Sequence, residues 1–334
     1  MQARRTDISI IYQGKNITVS LKPYLKGFTY TDCASGQADT ISLDIADMYK
    51  KWIDQWFPSK TDTICAAIDV TNWNREGDNW ATDCGQFTVD SVSFSGPPTY
   101  LKLEAISTPV SESFDCRGNT KTWEDTTLQA IASKIAGEAG VALVYDAPAV
   151  SIKVLEQSEE TNMSFLNKLC GDYSLSMKTY SNKIIIFDEE TYEAKPSVTV
   201  ITPLDVISWS GKTTLTGIAD SATIKYKDPK SGKDLSYTYN APNPSGRPTH
   251  KLQEFNEKAD SLGDAQQKAK AKVRGANKNE TTMSIKMDPH KGLVSTQNIS
   301  VKGFGKFDGK YFIDKITHTV SGGYTMDLEV RRVG

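Results

Sequence analysis

The chain has 334 residues, 38% of them apolar and 24% charged, a soluble globular composition long enough for two or three domains. Its net charge of -2 supplies no basic field for holding nucleic acid. No stretch approaches the roughly 20 apolar residues of a membrane span, and MQARRTDISIIYQGKNITVS lacks the apolar core of a signal peptide, so the expected site of synthesis is the cytoplasm.

The first hundred residues read as strands. Ile8, Ile10 and Tyr12 alternate with polar neighbours, as do Ile17, Val19 and Leu21, and the break Gln13-Gly14-Lys15 predicts a hairpin between them. Ile41, Leu43 and Ile45 form another run of period two. DMYKKWIDQWF (47–57) then changes period: Met48, Trp52, Ile53 and Trp56 share one face of a predicted helix that Pro58 stops. Ile64, Ala66, Ile68 and Val70, then GQFTVDSVSFSG (85–96), then Leu101, Leu103 and Ala105 complete a set of short strands, the signature of a small barrel or sandwich.

Near residue 118 the texture changes. Thr126 and Thr127 precede a helical stripe of Leu128, Ile131, Ala132 and Ile135, with Gly140 as its stop. A second helix begins at Thr161 or Asn162 with the stripe Phe165, Leu166 and Leu169. Leu175, Met177 and Thr179 with KIIIFD (183–188) predict a hairpin. Strand patterns return from Val198 and run to the end, interrupted by the polar loop 240–250 and a helix over 257–277. Within that helix Ala265, Ala269 and Val273 lie on one side. Glu257, Asp260 and Asp264 precede Lys268, Lys270, Lys272 and Arg274, the order that complements a helix dipole. The chain thus has two β-rich ends around a helical middle and no short tandem repeat.

Motifs for chemistry are scarce. The three histidines, His250, His290 and His318, form no HExxH or HxH, and the five cysteines, Cys33, Cys65, Cys84, Cys116 and Cys170, form no CxxC. Neither a metal site nor a disulfide framework is expected, and the thiols are expected to be reduced and mostly buried. His318, in ITHTV, reads as a buried or hydrogen-bonded strand residue. GFGKFDG (303–309) fits no phosphate-loop spacing and reads as a tight hairpin turn. Glu156, Glu159, Glu160, Glu189 and Glu190 offer acid pairs of the kind glycoside hydrolases use, although such pairs are far commoner on solvated loops. Trp52, Trp56, Trp73 and Trp80 suit a core or an interface, or stacking on sugars or bases. No catalytic, cofactor-binding or metal-binding residue is assigned, and no cofactor is expected.

Several segments together resemble the late control protein D family of phage tail hub proteins, in its XkdQ-like branch. They are KKWIDQWFP with GQFTVDSVSFSGPP, then KTWEDTTLQAIASKIAGEAGVALVY, then LEQSEETNMSFLNKLCGDYSLSMKTYSNKIIIFD, and the closing GKYFIDKITHTVSGGYTMDLEVRRV. The one departure is Ser174, where the family block usually ends in Gly. The resemblance implies a mainly β protein in which two related tube-type β-barrels, 1–112 and 198–334, embrace a small α+β domain, 113–197. GQFTVDSVSFSG and GKYFIDKITHTVSGGYTMDLEVRRV are the expected counterparts in the two barrels. It further implies a non-enzymatic baseplate hub subunit of a contractile tail or tail-like bacteriocin, a homotrimer joining a sixfold tail tube protein to a threefold central spike protein beside other baseplate proteins. Such a subunit has no nucleic-acid specificity and no membrane partner. It would be assembled in the host cytoplasm and end in the particle. A tail-associated peptidoglycan hydrolase or a cell-wall-binding module is the alternative. In the closing hairpin, Tyr311 and Ile313 are expected on one face and Phe312 on the other, one set entering the barrel core and the other meeting an adjacent subunit or tube protein.

Overall fold

The computed structural model describes residues 3–109, 114, 117–227, 232, 234–241 and 252–333. His250, Cys116 and most of the polar loop 240–250 lie outside them. The N-terminal region contains β1 (Arg5–Tyr12), β2 (Lys15–Asn16), α1 (Thr18–Leu21), β3 (Leu25–Cys33), β4 (Thr40–Ala46), β5 (Thr63–Thr71), β6 (Trp80–Ser95) and β7 (Tyr100–Ile106). The middle contains β8 (Asn119–Thr127), α2 (Leu128–Glu138), β9 (Ala142–Asp146), β10 (Ser151–Glu160), α3 (Asn162–Asp172), β11 (Leu175–Tyr180), β12 (Lys183–Asp188) and α4 (Glu189–Ala194). The C-terminal region contains β13 (Ser197–Ile201), β14 (Val206–Thr213), β15 (Ser221–Lys227), β16 (Asp234–Asn240), β17 (Leu252–Asn256), α5 (Leu262–Asn277), β18 (Thr281–Met287), β19 (Asn298–Val301), β20 (Gly309–Val320) and β21 (Tyr324–Arg332).

The two ends repeat one topology. The N-terminal strands run β3-β4-β7-β6-β5-β1 across the sheet, and the C-terminal strands run β14-β18-β21-β20-β19-β13. Taken in chain order, the six strands of each end therefore occupy the same places. The match reaches single residues. Asp90 is skipped in the ladder of β6 with β7, and Asp314 is skipped in that of β20 with β21. Lys26 is skipped between β3 and β4, and Ile207 between β14 and β18. GQFTVDSVSFS and GKYFIDKITHT thus stand in register, as their shared Gly, aromatic and Asp positions predict. The ends differ in one pairing: β1 meets β5 antiparallel, whereas β13 meets β19 parallel.

The closed barrels expected from the sequence are not what the hydrogen bonding describes. Among the described residues β1 does not pair with β3, nor β13 with β14. The two halves instead join edge to edge, residues 315–320 of β20 pairing with 28–33 of β3, to give one 13-stranded sheet. A single apolar cluster joins the two halves. It includes Ile10, Phe28, Ile41, Ile68 and Phe87 from the first end and Ile285, Ile299, Tyr311, Ile313 and Leu328 from the last.

The middle has its own core. Thr127 caps α2 by accepting from Ala130 N, and Gly140, at φ +68, follows its end. Thr161 caps α3 in the same way through Ser164 N. Both helices cover the sheet β11-β12-β9, burying Leu128, Ile131, Phe165, Leu166 and Ile184 together. Ser174 has φ +58, the left-handed conformation that a glycine adopts without steric cost. A third layer is the sheet β16-β15-β17, on which α5 lays Ala265 and Ala269 against Ile224.

Four expectations need correction. Residues 47–57 are successive turns and no helix. The buried Asp47 carboxylate accepts from the backbone N–H groups of Trp52 and Ile53, and Lys50 has φ +55, so side-chain capping wins over the helical pattern. The hairpin at Gln13-Gly14 forms, but its second strand ends at Asn16. The Asn16 side chain accepts from Thr18 N and starts α1, leaving Val19 exposed. The helix placed at 257–277 starts five residues later, where Ser261 caps it through Asp264 N. Residues 302–308 are not a tight turn but a longer connection with a 3-10 turn at 305–307.

Candidate assembly surface

One edge of the large sheet is open. Among the described residues β14 bonds only to β18 and ends the strand order, and after Val206 every residue in it is exposed. An edge strand offers its unpaired backbone groups to any incoming strand. Exposed apolar side chains lie on this strand and on the chain leading into it: Val198 and Val200 on β13, Leu204 (97% exposed) in the connecting turn, then Ile207 and Trp209 (44% exposed). Trp209 meets Phe304 and Phe307 edge-on at centroid distances of 5.1 and 6.0 Å. Gly211 has no side chain because Phe307 lies across it, and a Cβ there would sit 2.7 Å from Phe307 Cε1. A second exposed group comes from the turns that replaced the expected helix. Met48, Tyr49, Ile53, Trp56 and Phe57 stand out beside Tyr100, and Phe57 stacks on Phe94 at 5.7 Å. Exposed apolar residues in such groups mark interaction sites more often than single ones do.

Two buried polar junctions fasten the middle to the sheet. At the first, Lys178 of β11 donates through Nζ to Asp32, to Cys33 O (2.8 Å) and to Ser295 Oγ (3.1 Å), with Asp39 Oδ2 also 3.1 Å away. Asp32 also accepts from Ser295 N at 2.7 Å, so one ammonium ties together N-terminal, middle and C-terminal residues. Burial pushes the Asp39 carboxyl up to about 7 against the pull of Lys178. Burial opposes the charge on Lys178, but Asp32 and Asp39 outweigh it and raise its pKa. At the second junction Arg331, 3% exposed, meets Asp314 (2.9 Å), Glu193 (2.5 Å) and Glu189 (3.7 Å). Burial works against the Glu189 carboxylate, yet Lys278 and Arg331 hold it below the usual range.

The basic row of α5 is spent on the same chain. Lys270 pairs with Glu190, Lys272 with Asp172 and Glu257, and Arg274 with Glu193, at 2.6–3.0 Å. Of the acids that sequence reading singled out, Glu160 pairs with Lys168, Glu189 and Glu190 belong to these networks, and Glu156 and Glu159 face solvent. Among the described residues no three His, Cys, Asp or Glu side chains are placed to hold a metal ion, and no helix is long and apolar enough to cross a membrane. Cys33, Cys84 and Cys170 are buried free thiols and Cys65 is half-buried. Trp52 and Trp73 are buried, whereas Trp56 joins the exposed group. Phe312 does lie on the face opposite Tyr311 and Ile313, but it meets Ala34, Phe187 and Val333 of its own chain, not open surface.

His318 is buried, stacks on Tyr30 at 5.4 Å and shares a 2.8 Å hydrogen bond with Tyr324 Oη. Burial lowers its pKa to about 4, and Asp32 only partly opposes this. The folded value lies below the unfolded one of about 6.5, so the unfolded chain takes up a proton first. Stability from this residue is present above that pH and drains away as pH falls towards 4, by about 3 kcal/mol in all. His318→Phe should remove that portion of the acid destabilisation. Unfolding free energies from pH 7 to 4 that fall equally for both chains would place the effect elsewhere.

Among solved structures, the 43 kDa tail protein of prophage MuSo2 from Shewanella oneidensis matches with a TM-score of 0.73 at 13% identity, covering 98% of both chains. The tail protein from Neisseria meningitidis MC58 matches equally well, at 0.73 and 13%, over 98% of this chain and 97% of its own. The E. coli c3393 protein is a type VI secretion component with structural similarity to the T4 tail proteins gp27 and gp5. It matches at 0.60 and 9% over 99% of this chain and 77% of its own. No protein-family model matches, nor does any curated protein. The fold is that of the phage tail proteins. The resemblance read from the sequence therefore holds for the fold, and the tail-protein fold accounts for almost the whole chain, repeated ends and middle alike.

Proposed function

We propose that this chain is a structural baseplate hub subunit of a contractile tail or tail-like particle, three copies forming the ring that joins a sixfold tube to a threefold spike. The observation that carries the reading is the repeated six-strand order at the two ends. Three chains with two equivalent units each present six units to the tube, yet keep threefold symmetry for the spike. In this reading the regions 1–112 and 198–334 are the two tube-type units, completed as barrel walls in the ring, and 113–197 lies towards the spike. Tube, spike and further baseplate proteins are its partners, and the virion or particle baseplate is its final place. The work is interface burial, which in permanent assemblies exceeds about 2,000 Å², and no bond chemistry enters. A wall hydrolase or wall-binding module has less support, because most of the candidate acids hold ion pairs within the fold. The test is to isolate assembled particles, count the chains per particle, and incubate the purified chain with cell wall. Three copies and no soluble wall fragments are expected; one copy, six copies or lysis would overturn the proposal.

A further inference from the structure

The chain contains one filled example of a contact whose second example stands empty. In the filled one, β3 of the first end gives its outer edge to β20 of the last end, antiparallel, with Thr31 opposite Thr317 and Tyr30 opposite His318. The topological repeat makes β14 the counterpart of β3 and β6 the counterpart of β20. Among the described residues, the edge of β14 that corresponds to the filled edge of β3 is unpaired. On β6 the stretch corresponding to 315–319 is 91–95, which pairs with β7 on one side, while the pairing of β5 stops at Thr88. Both members of the second contact are therefore present with their edges free, on opposite ends of one molecule. Burial tells the same story: Phe28 in the filled contact is 1% exposed, whereas its counterpart Trp209 is 44% exposed.

We infer that β14 of one copy pairs antiparallel with residues 91–95 of β6 in the next copy, repeating between chains the contact that β3 and β20 make within one. The registers of the two ends fix the partners. Against β4, Thr31 is opposite Thr40, and against β18, Lys212 is opposite Thr282, while Thr40 and Thr282 hold equivalent places against β7 and β21. Thr31 thus corresponds to Lys212, and Thr317 to Ser93 by the shared skip at Asp314 and Asp90. Ser93 falls opposite Lys212, and Phe94 opposite Gly211, with the ring of Phe307 beside it taking the part that Tyr30 plays against His318. The contact is head to tail, the kind that closes into a ring when the rotation between units permits. That it closes after three copies rests on the hub reading; the pairing itself rests on the repeat.

Cysteine pairs test it in assembled particles. Thr31→Cys/Thr317→Cys probes the filled contact and should bridge within one chain, which then runs as a monomer in denaturant without reductant. Ser93→Cys/Lys212→Cys probes the inferred contact and should bridge between chains, giving a covalently closed trimer on oxidation, with no such species from the wild type. Should that pair block assembly, Ser95→Cys/Ser210→Cys probes the same ladder two residues along. Particles with three copies in which the first pair bridges and the inferred pairs never do would overturn the contact and leave the hub reading standing. Bridged rings of another size would keep the contact and overturn the hub reading.

Discussion

Replacing Lys178 by Met should cost about 3–5 kcal/mol at pH 8, the range for removing one partner of a buried ion pair. The ammonium is the shared counter-charge of Asp32 and Asp39, whose side chains are 6% and 0% exposed. Methionine fills the space but leaves two carboxylates out of water, and the three parts of the chain that meet there lose their common bond. The penalty should depend on pH in a definite direction. The folded-state pKa of Asp39 is already raised to about 7, above the unfolded value of about 3.9. A raised carboxyl favours folding where it is protonated, an advantage complete below the unfolded value and lost as pH rises through about 7. Without Lys178 the preference for the neutral acid grows, so the variant should recover part of its loss at pH 5, and Asp39→Asn added to it should recover part at pH 8. Urea unfolding at the two pH values measures this. An unchanged midpoint at pH 8 would mean that solvent, and not Lys178, compensates these carboxylates.

Tyr311→Ala and Phe312→Ala should each cost about 3–5 kcal/mol, as large-to-small changes in filled cores do, but with different consequences. Tyr311 is fully buried in the large cluster and donates through Oη to Phe307 O at 2.7 Å. Its loss should lower the melting temperature of the whole sheet. Phe312 belongs to the small apolar plug between sheet and middle, under the Arg331 guanidinium at 4.6 Å from its ring. Its loss should loosen the attachment of the middle first, with faster amide exchange over 175–194 before the sheet melts. Normal melting, exchange and particle incorporation for both variants would mean that the hairpin serves neither core nor attachment.

Period-two strands were legible because each carries its own pattern: β5 alternates buried and half-buried residues through its whole length. Helices α2 and α3 were legible because both stripe and cap residues are local. The repeat was legible only in GQFTVDSVSFSG and GKYFIDKITHTV, where the skipped aspartates left a shared spelling. Elsewhere it is carried by hydrogen-bond order, as between β3 and β14, where Phe28 and Tyr30 answer to Trp209 and Gly211. The helix expected at 47–57 failed because a single carboxylate, Asp47, takes two backbone donors that a helix would have used. The junction at Lys178 was illegible for another reason. Asp32 and Ser295 lie 146 and 117 residues away in sequence, and no local pattern marks residues that only the fold brings together. Closure is not legible in the sequence, because alternation says which face is buried, not whether the first and last strands meet.

The most direct test of the central claim is an image of the intact particle, reconstructed without imposed symmetry and resolved well enough to trace strands at the end of the tail tube. Three copies of this chain are expected in a ring of six similar units, first and last ends alternating, with β14 of each copy lying along residues 91–95 of the next. A ring of six copies, a single copy, or three copies whose β14 edges face solvent would contradict it.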